Sequence, residues 1–560
     1  MILSILVQVQ LIRKLLVWAS SIPWLGMRIN RFATNMLASS TTPRPRPFSL
    51  WSPVPAVPGS ASGPICDYTS WPSLTDRRFS ARHIAPVSEA SMAALPDDTP
   101  KGPNRWGPVT SLFSRGETMK TDRSSVLFMF FAQWFTDSVL RGDPSDRRKN
   151  TSNHDVDLCQ IYGLYEHEAC CLRSKEGGRL RSQIIDGEEY PDYLGVRNSN
   201  GEWHVKKEYS CLDLEGKVVR DKGLYPHGDT TWVRNALQGS FPNLPQDQLD
   251  KRLDKLYATG LERGNSSVGY AALSLVFLRE HNRICHELSV RYPDWEDADE
   301  RLFQTARLIN ICLLLKLTIE DYINHITGEP LFRLDTNFAE TQHWYRTNWM
   351  ALEFNLLYRW HGLVPDQLIV DENPVDASLY RWNNALLEEK GLAGIISTAS
   401  AQPAGCISLG NNPDFLMGSE YQTIKMGRDF RLQSYNNYRQ NFGLKKLRSF
   451  AELTKEIALQ EQLKSLYGSI DNLELVIGLF AEDSQPGLLF GTLMLTMVAY
   501  DAFTQIYTNP VLSAAIYNSE SLTSYGLELI KETTSIECLV RRNLPVGSSL
   551  LARLGVTPQG

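Results

Sequence analysis

Histidine is sparse in this chain, and its ten copies leave long gaps. None falls between His83 and His154, so chemistry placed there must use another acid or base. Nine cysteines are scattered from Cys66 to Cys538 without one Cys-x-x-Cys pair, which argues against a zinc site or a thioredoxin-like motif. Their number is odd and they form no dense cluster, so most are expected to be reduced, buried, small hydrophobes. Positive charge is not in excess either: 57 Lys and Arg face 63 Asp and Glu, for a net charge of −6. No global basic field is there to recruit nucleic acid. The sequence contains no internal repeat and no heptad array, which sets aside solenoids and coiled coils. Its uncharged N-terminal run stops at Arg13 after 12 residues, short of the roughly 20 that a spanning helix needs.

Apolar residues make up 42 % of the 560, enough for a large core and more than one helical layer. Residues 1–40 are apolar but interrupted by Arg13, Lys14, Arg28 and Arg31. Two short amphipathic helices broken at Pro23, with Trp18 and Trp24 at headgroup level, would lie on a membrane face; packing on the protein's own core is the alternative. Residues 41–64 (TTPRPRPFSLWSPVPAVPGSASGP) read as an extended Pro/Ser/Gly-rich linker. Apolar spacing of three to four predicts helices over 124–141, 267–290, 298–327, 341–361, 375–391, 450–465, 488–508 and 520–535. A few short strands are expected in the charged, Gly-rich stretch 173–235. The fold class is mostly α. Asn150-Thr151-Ser152 and Asn265-Ser266-Ser267 match the glycosylation pattern, which also arises often by chance.

The stretch EFNLLYRWHGLVPD, Glu353 to Asp366, carries the most chemistry. Tyr358 and His361 are three apart, which on a helix puts them on one face. Such a histidine could hold a haem iron, with the tyrosine close enough to be oxidised; a core aromatic beside a hydrogen-bonded histidine is the plainer reading. The run resembles the proximal haem helix of the cyclooxygenases and their relatives among the animal-type haem peroxidases. FMFFAQWFTD (128–137), DLCQIYG (157–163), QIIDGEEYP (183–191), FLREHNRIC (277–285), IEDYINHITG (319–328) and YNNYRQNFGL (435–444) resemble the same family in the same order. The likeness spans about residues 65–530 and implies one large helical haem-peroxidase domain over 65–560. The cysteine-rich, EGF-like N-terminal module of animal cyclooxygenases has no counterpart in this sequence.

The resemblance implies haem b ligated by His361, with Trp360 and Gln133 beside it. Arg359 stands where the family usually has histidine; it could reach a haem propionate or lie on the surface. A peroxidase also needs a distal group to move a proton between the peroxide oxygens. Gln133 matches the family's distal glutamine, but four residues on stands Asp137 instead of histidine. Such a carboxyl serves as acid and base only if burial raises its pKa, so feeble classical peroxidase activity is expected. Arg263, sixteen residues before Arg279, weakly matches a distal arginine of the leucocyte peroxidases. The glutamate that esterifies haem in some relatives falls near Ser266, so non-covalent haem is expected. Ser138 replaces a calcium-liganding aspartate and the pattern over Asn153–Cys159 is degraded, so calcium is not expected.

By the same resemblance Tyr358 is the radical tyrosine and Tyr322 the second tyrosine whose hydroxyl bonds to it. A hydroperoxide activates the cofactor, the tyrosyl radical takes hydrogen from an activated C–H, and O2 adds to the carbon radical. Phe135, Val139, Leu140 and Ile323 are candidate walls of the substrate channel. Leu495, Val498, Ala499, Ala502 and Phe503 continue it in a segment that resembles the family's channel helix. Ala502 stands where the acylated serine of cyclooxygenases lies, Val498 replaces a glycine, and Glu329 replaces the tyrosine at the mouth. No carboxylate-binding arginine is identifiable. The expected function is haem-dependent dioxygenation of an unsaturated fatty acid or related lipid on a membrane surface, giving a hydroperoxide or an endoperoxide. The alternatives are a haem peroxidase acting on small donors, an oxygenase of a specialised metabolite, and a haem-free membrane-associated binding protein. A homodimer is left open.

Overall fold

The computed structural model describes residues 18–41, 78–101, 105–295, 297–345, 349–484 and 487–556. Residues 1–17 of the expected interfacial segment, the expected linker over 42–64 and Cys66 lie outside them. The fold is mostly α. Helix α1 (Pro23–Ala38) has proline at its first position, where a missing N–H costs nothing. Helix α2 (Val126–Thr136) follows strand β1 (Lys120–Ser125) and is apolar on all sides except Gln133. Ser125 caps it by accepting from the Phe128 amide at 3.4 Å.

The hub is α3 (Val268–Arg291), buried along most of its length. It packs on α2, on α4 (Ala298–Leu317) and on a later helix over Asn384–Ala401. The crossing of α3 with α2 depends on Gly269, where a Cβ would fall 2.1 Å from the Phe130 ring. Among the described residues, four small antiparallel sheets lie around this helical core. β1 pairs with a strand at Pro403–Gly405, and two hairpins pair Ser182–Ile185 with Glu188–Pro191 and Gly195–Arg197 with Trp203–Val205. These two fall in the stretch where short strands were expected; the fourth sheet pairs Gln367–Val370 with Asn373–Asp376.

Several expected helices are shorter or broken. The run 298–327 is α-helical to Leu317, makes a π turn over Thr318–Ile323 and resumes over Asn324–Thr327. Among the described residues of 341–361, α5 (Leu352–Leu357) is the α-helical part. Tyr358 caps it, and His361 opens a separate 3-10 turn, His361–Leu363. Tyr358 and His361 therefore do not share a helix. Tertiary bonds explain the break: Arg115 donates to the carbonyls of Gly362 and Val364 at 3.3 and 2.9 Å. Gly362 also passes so close to the Cys406 carbonyl that a Cβ would meet it at 2.4 Å, and Pro365 disfavours helix at the residue before it. Residues 375–391 split at Trp382, whose φ is 51°, and Gly391 kinks the following helix. Residues 450–465 divide into Phe450–Leu453 and Ile457–Tyr467. Helices α6 (Met417–Asp429) and α7 (Thr492–Tyr507) complete the frame of the site. α7 packs on both α1 and α5.

Asn150 and Asn265, the two glycosylation matches, are buried and hydrogen-bonded inside the protein. The eight cysteines among the described residues are unpaired, four of them buried. One described helix, Ala298–Thr327, is long and apolar enough to cross a membrane; 83 % of its apolar window is buried in the protein, as a core helix would be.

Candidate active site

α2, the end of α5 and the turn after it enclose an open cleft of about 1020 Å³, counting its mouth. Gln133 and Asp137 border it from one side, and Tyr358, Arg359, Trp360 and His361 from the other. The broken helix thus brings together the residues that a continuous helix was expected to align. Gln133, exposed, and Thr136, half-buried, are the residues of this helix that are not buried, and both border this space.

His361 donates from Nδ1 to Glu420, a wholly buried residue of α6. Asn412 donates to the same carboxylate oxygen at 2.5 Å. Holding the proton on Nδ1 leaves the Nε2 lone pair to face a ligand, the usual arrangement behind a metal-bound imidazole. Glu420 and Asn412 carried no motif in the sequence: Glu420 is 59 residues from His361, and only the chain's return path places it there.

Tyr358 stacks on Trp360, with centroids 4.2 Å apart and planes at 26°. Burial pushes its phenol well above the ordinary range, while the Tyr322 hydroxyl pulls the other way. Tyr322 lies on the π turn inside a cage of Phe128, Phe131 and Phe135, at 5.2, 5.1 and 5.9 Å. Burial and the neighbouring Tyr358 both raise its phenol. The two hydroxyls are neighbours, each acting on the other's phenol. Both phenols keep their protons at neutral pH, which suits hydrogen-atom rather than proton transfer.

Asp137 is buried at the end of α2 and is not a free carboxyl. Arg263 donates to it at 3.2 Å and the Tyr270 hydroxyl at 3.0 Å. Arg263, a weak match in the sequence, thus belongs to the cleft. The missing calcium-ligand position is internally satisfied, since the Ser138 hydroxyl accepts from Gln160 at 2.8 Å.

Three arginines, 263, 359 and 381, border the cleft. Arg359 donates to Asn355, its Nε is buried without a partner among the described residues, and burial lowers its pKa to about 10. Arg381 rests over Phe241 and Phe415. A dianionic, flat, aromatic-edged molecule would supply the missing counter-charges, so the donor set fits haem and its two propionates. Ser266 also borders the cleft, with a buried, unpartnered hydroxyl and no carboxyl to esterify.

The channel candidates Phe135, Val139, Ile323, Leu495, Val498, Ala499, Ala502 and Phe503 are buried, and Leu140 is half-buried. Phe503 packs against Phe332 at 4.7 Å. Glu329 is half-buried in the turn after the π-interrupted helix.

The animal haem peroxidase family matches residues 117–550. Prostaglandin G/H synthase 2 of Equus caballus is 30 % identical over 484 residues, 85 % of this chain and 72 % of that protein. Prostaglandin G/H synthase 1 of Rattus norvegicus is 31 % identical over 492 residues, 85 % and 73 % of the two chains. Among solved structures, Oryza sativa fatty acid alpha-dioxygenase has a TM-score of 0.62 at 17 % identity, covering 83 % of this chain and 80 % of its own. Peroxidase A of Dictyostelium discoideum also has a TM-score of 0.62 at 17 % identity, with 86 % and 95 % coverage; at these identities the likeness is one of fold. With an imidazole, a cation-rich cleft and a sheltered phenol arranged around one space, and with this match over most of its length, the chain belongs to the animal haem peroxidase family.

Proposed function

We propose that the protein is a haem-dependent oxygenase that uses Tyr358 to take a hydrogen atom from an unsaturated fatty acid or related lipid, to which O2 then adds. One observation carries this reading: Tyr358 borders the same cleft as His361 while its phenol is buried beside Tyr322. His361 would ligate the iron through Nε2, Arg359 and Arg381 would face the propionates, and the group would be held without a covalent bond. Bound there and activated by a hydroperoxide, haem supplies the oxidising equivalent. Tyr358 gives up its phenolic hydrogen and then takes one from the lipid, leaving a carbon radical. O2 adds, and the peroxyl radical recovers hydrogen from Tyr358, so the product is a hydroperoxide and the tyrosyl radical is restored. The related prostaglandin G/H synthases support this chemistry. The engagement of Asp137 by Arg263 and Tyr270 speaks against efficient peroxide acid–base catalysis, and so against a peroxidase of small donors as the main activity.

A second observation favours work at a membrane. In α1 the buried residues are Gly26, Asn30, Thr34, Leu37 and Ala38, while Trp24, Met27 and Phe32 are 63, 49 and 58 % exposed, with Trp18 at 66 % just before it. Asn30 and Arg31 anchor the helix to Arg333 and Asp335. Apolar and aromatic side chains turned outward on an anchored helix, with Arg28 and Arg31 exposed among them, suit the headgroup level of one leaflet.

The test is oxygen uptake with linoleate, set against guaiacol oxidation by peroxide, in wild type and Tyr358→Phe. We expect the variant to keep its haem spectrum and lose oxygen uptake. Normal oxygenation by the variant would overturn the assignment. His361→Ala is expected to lose the Soret band, and full haem retention would place the ligand elsewhere.

A further inference from the structure

A second cavity, open and about 2140 Å³ counting its mouth, shares no bordering residue with the cleft at His361. One of its walls belongs to α4. Phe303, Arg307, Leu308 and Ile311 border it there, at spacings that put them on one face of the helix. Asp155 and Asp157 border it from the loop before the short helix Cys159–Tyr162. Most charges around this space are accounted for. Arg173 pairs with Asp299 and Glu300, Lys175 donates to the Cys170 sulfur at 2.9 Å, and Glu166 is exposed to water. Asp157 accepts from Asn153 and, at 3.0 Å, from the Cys159 amide.

Two groups are left over. Arg307 makes no hydrogen bond or ion pair with any described residue, and of its guanidinium nitrogens Nε alone is closed off from the cavity. Nη1 and Nη2 stay open to it. The Asp155 carboxylate meets no described donor either, and both of its oxygens stay accessible. Burial, and then Asp157, push its pKa up to about 6, as befits an acid that lacks a cation. No ion pair joins Arg307 to Asp155 although they border one space. A partly buried charge without a partner is costly, and here two of opposite sign stand out of each other's reach. A plain anion on Arg307 would share the cavity with two carboxylates, and a plain cation on Asp155 would share it with a guanidinium. A molecule carrying both charges satisfies both walls. The open Nη1 and Nη2 suit a carboxylate, which accepts two N–H bonds from one guanidinium. We propose that this cavity binds an apolar amino acid, its carboxylate held by Arg307, its ammonium by Asp155 and its side chain against Phe303, Leu308 and Ile311.

The experiment is calorimetric titration of the haem-loaded, full-length protein with three probes of one shape. They are leucine, 4-methylpentanoate, which lacks the ammonium, and 3-methylbutylamine, which lacks the carboxylate. Wild type is expected to bind leucine at least about tenfold more tightly than either analogue, since each analogue forgoes one charged hydrogen-bonded contact. Arg307→Gln and Asp155→Asn should each abolish that preference. Without ligand both variants should melt no earlier than wild type, because neither side chain has a protein partner to lose. The ranking in wild type needs no variant at all. No heat from leucine at millimolar concentration, equal affinities for the three probes, or a preference that survives both substitutions would overturn the inference. An earlier melt of both variants would overturn it too, by showing that the two side chains serve the fold.

Discussion

Glu420 has no direct view of a substrate, yet it fixes which nitrogen of His361 faces the cleft. Glu420→Gln keeps an acceptor and removes the charge, so the imidazole becomes a weaker iron donor. Haem affinity is expected to fall by about 10- to 100-fold, measured by Soret titration; unchanged affinity would mean that this pair does not serve the iron. A second residue reports on pH. His281 is fully buried, with Tyr162 donating to Nδ1 at 2.9 Å and Nε2 donating to the Gly178 carbonyl at 2.9 Å. Burial lowers its pKa to about 4, below the ordinary value near 6.5. Between those values the unfolded chain binds more protons than the native one. The stabilising contribution is therefore whole above about pH 6.5 and drains away as pH falls toward 4. In paired denaturation curves the stability gap between wild type and His281→Gln should narrow on acidification, by at most about 1.4 kcal/mol per pH unit. A gap independent of pH would show that His281 does not titrate in this way.

At the scale of the element, the crossing of α2 and α3 sets where Gln133 and Asp137 point. Gly269→Ala drives a methyl into the Phe130 ring and is expected to destabilise the protein by about 1–3 kcal/mol. The same change at Gly239, in the helix Thr230–Ser240, meets nothing within 4 Å. There it should stabilise by about 0.4–1 kcal/mol, because it only restricts the unfolded chain. Urea melts of both variants test the pair, and a stable Gly269→Ala would show that the two helices can part without cost. The π turn over Thr318–Ile323 matters at this scale too. Its extra residue per turn changes which residues face the core beyond Leu317, and Tyr322 sits on it, a common association of π turns with functional positions.

Over the whole molecule, the cleft at His361 and the outward aromatics of α1 are linked through α7, which packs on both α1 and α5. Replacing Trp24 and Phe32 together with serine should leave the fold intact and reduce sedimentation with phosphatidylcholine vesicles by about tenfold or more, given the apolar area removed. Undiminished vesicle binding would show that α1 is not the membrane face.

The sequence by itself determined the helical class, the apolar core helices, the short strands of 173–235 and the identities of His361, Tyr358, Tyr322, Gln133 and Asp137 as candidates, because periodicity and side-chain chemistry are local properties. It could not show that the helix ends at Leu357: that break follows from Arg115 and Cys406, which lie far away in the chain. Nor could it show that Asp137 is held by Arg263 and Tyr270, or that Glu420 orients His361. Those facts depend on which distant side chains arrive at one point, and only the packed chain, by closing or withholding each hydrogen bond, decides them.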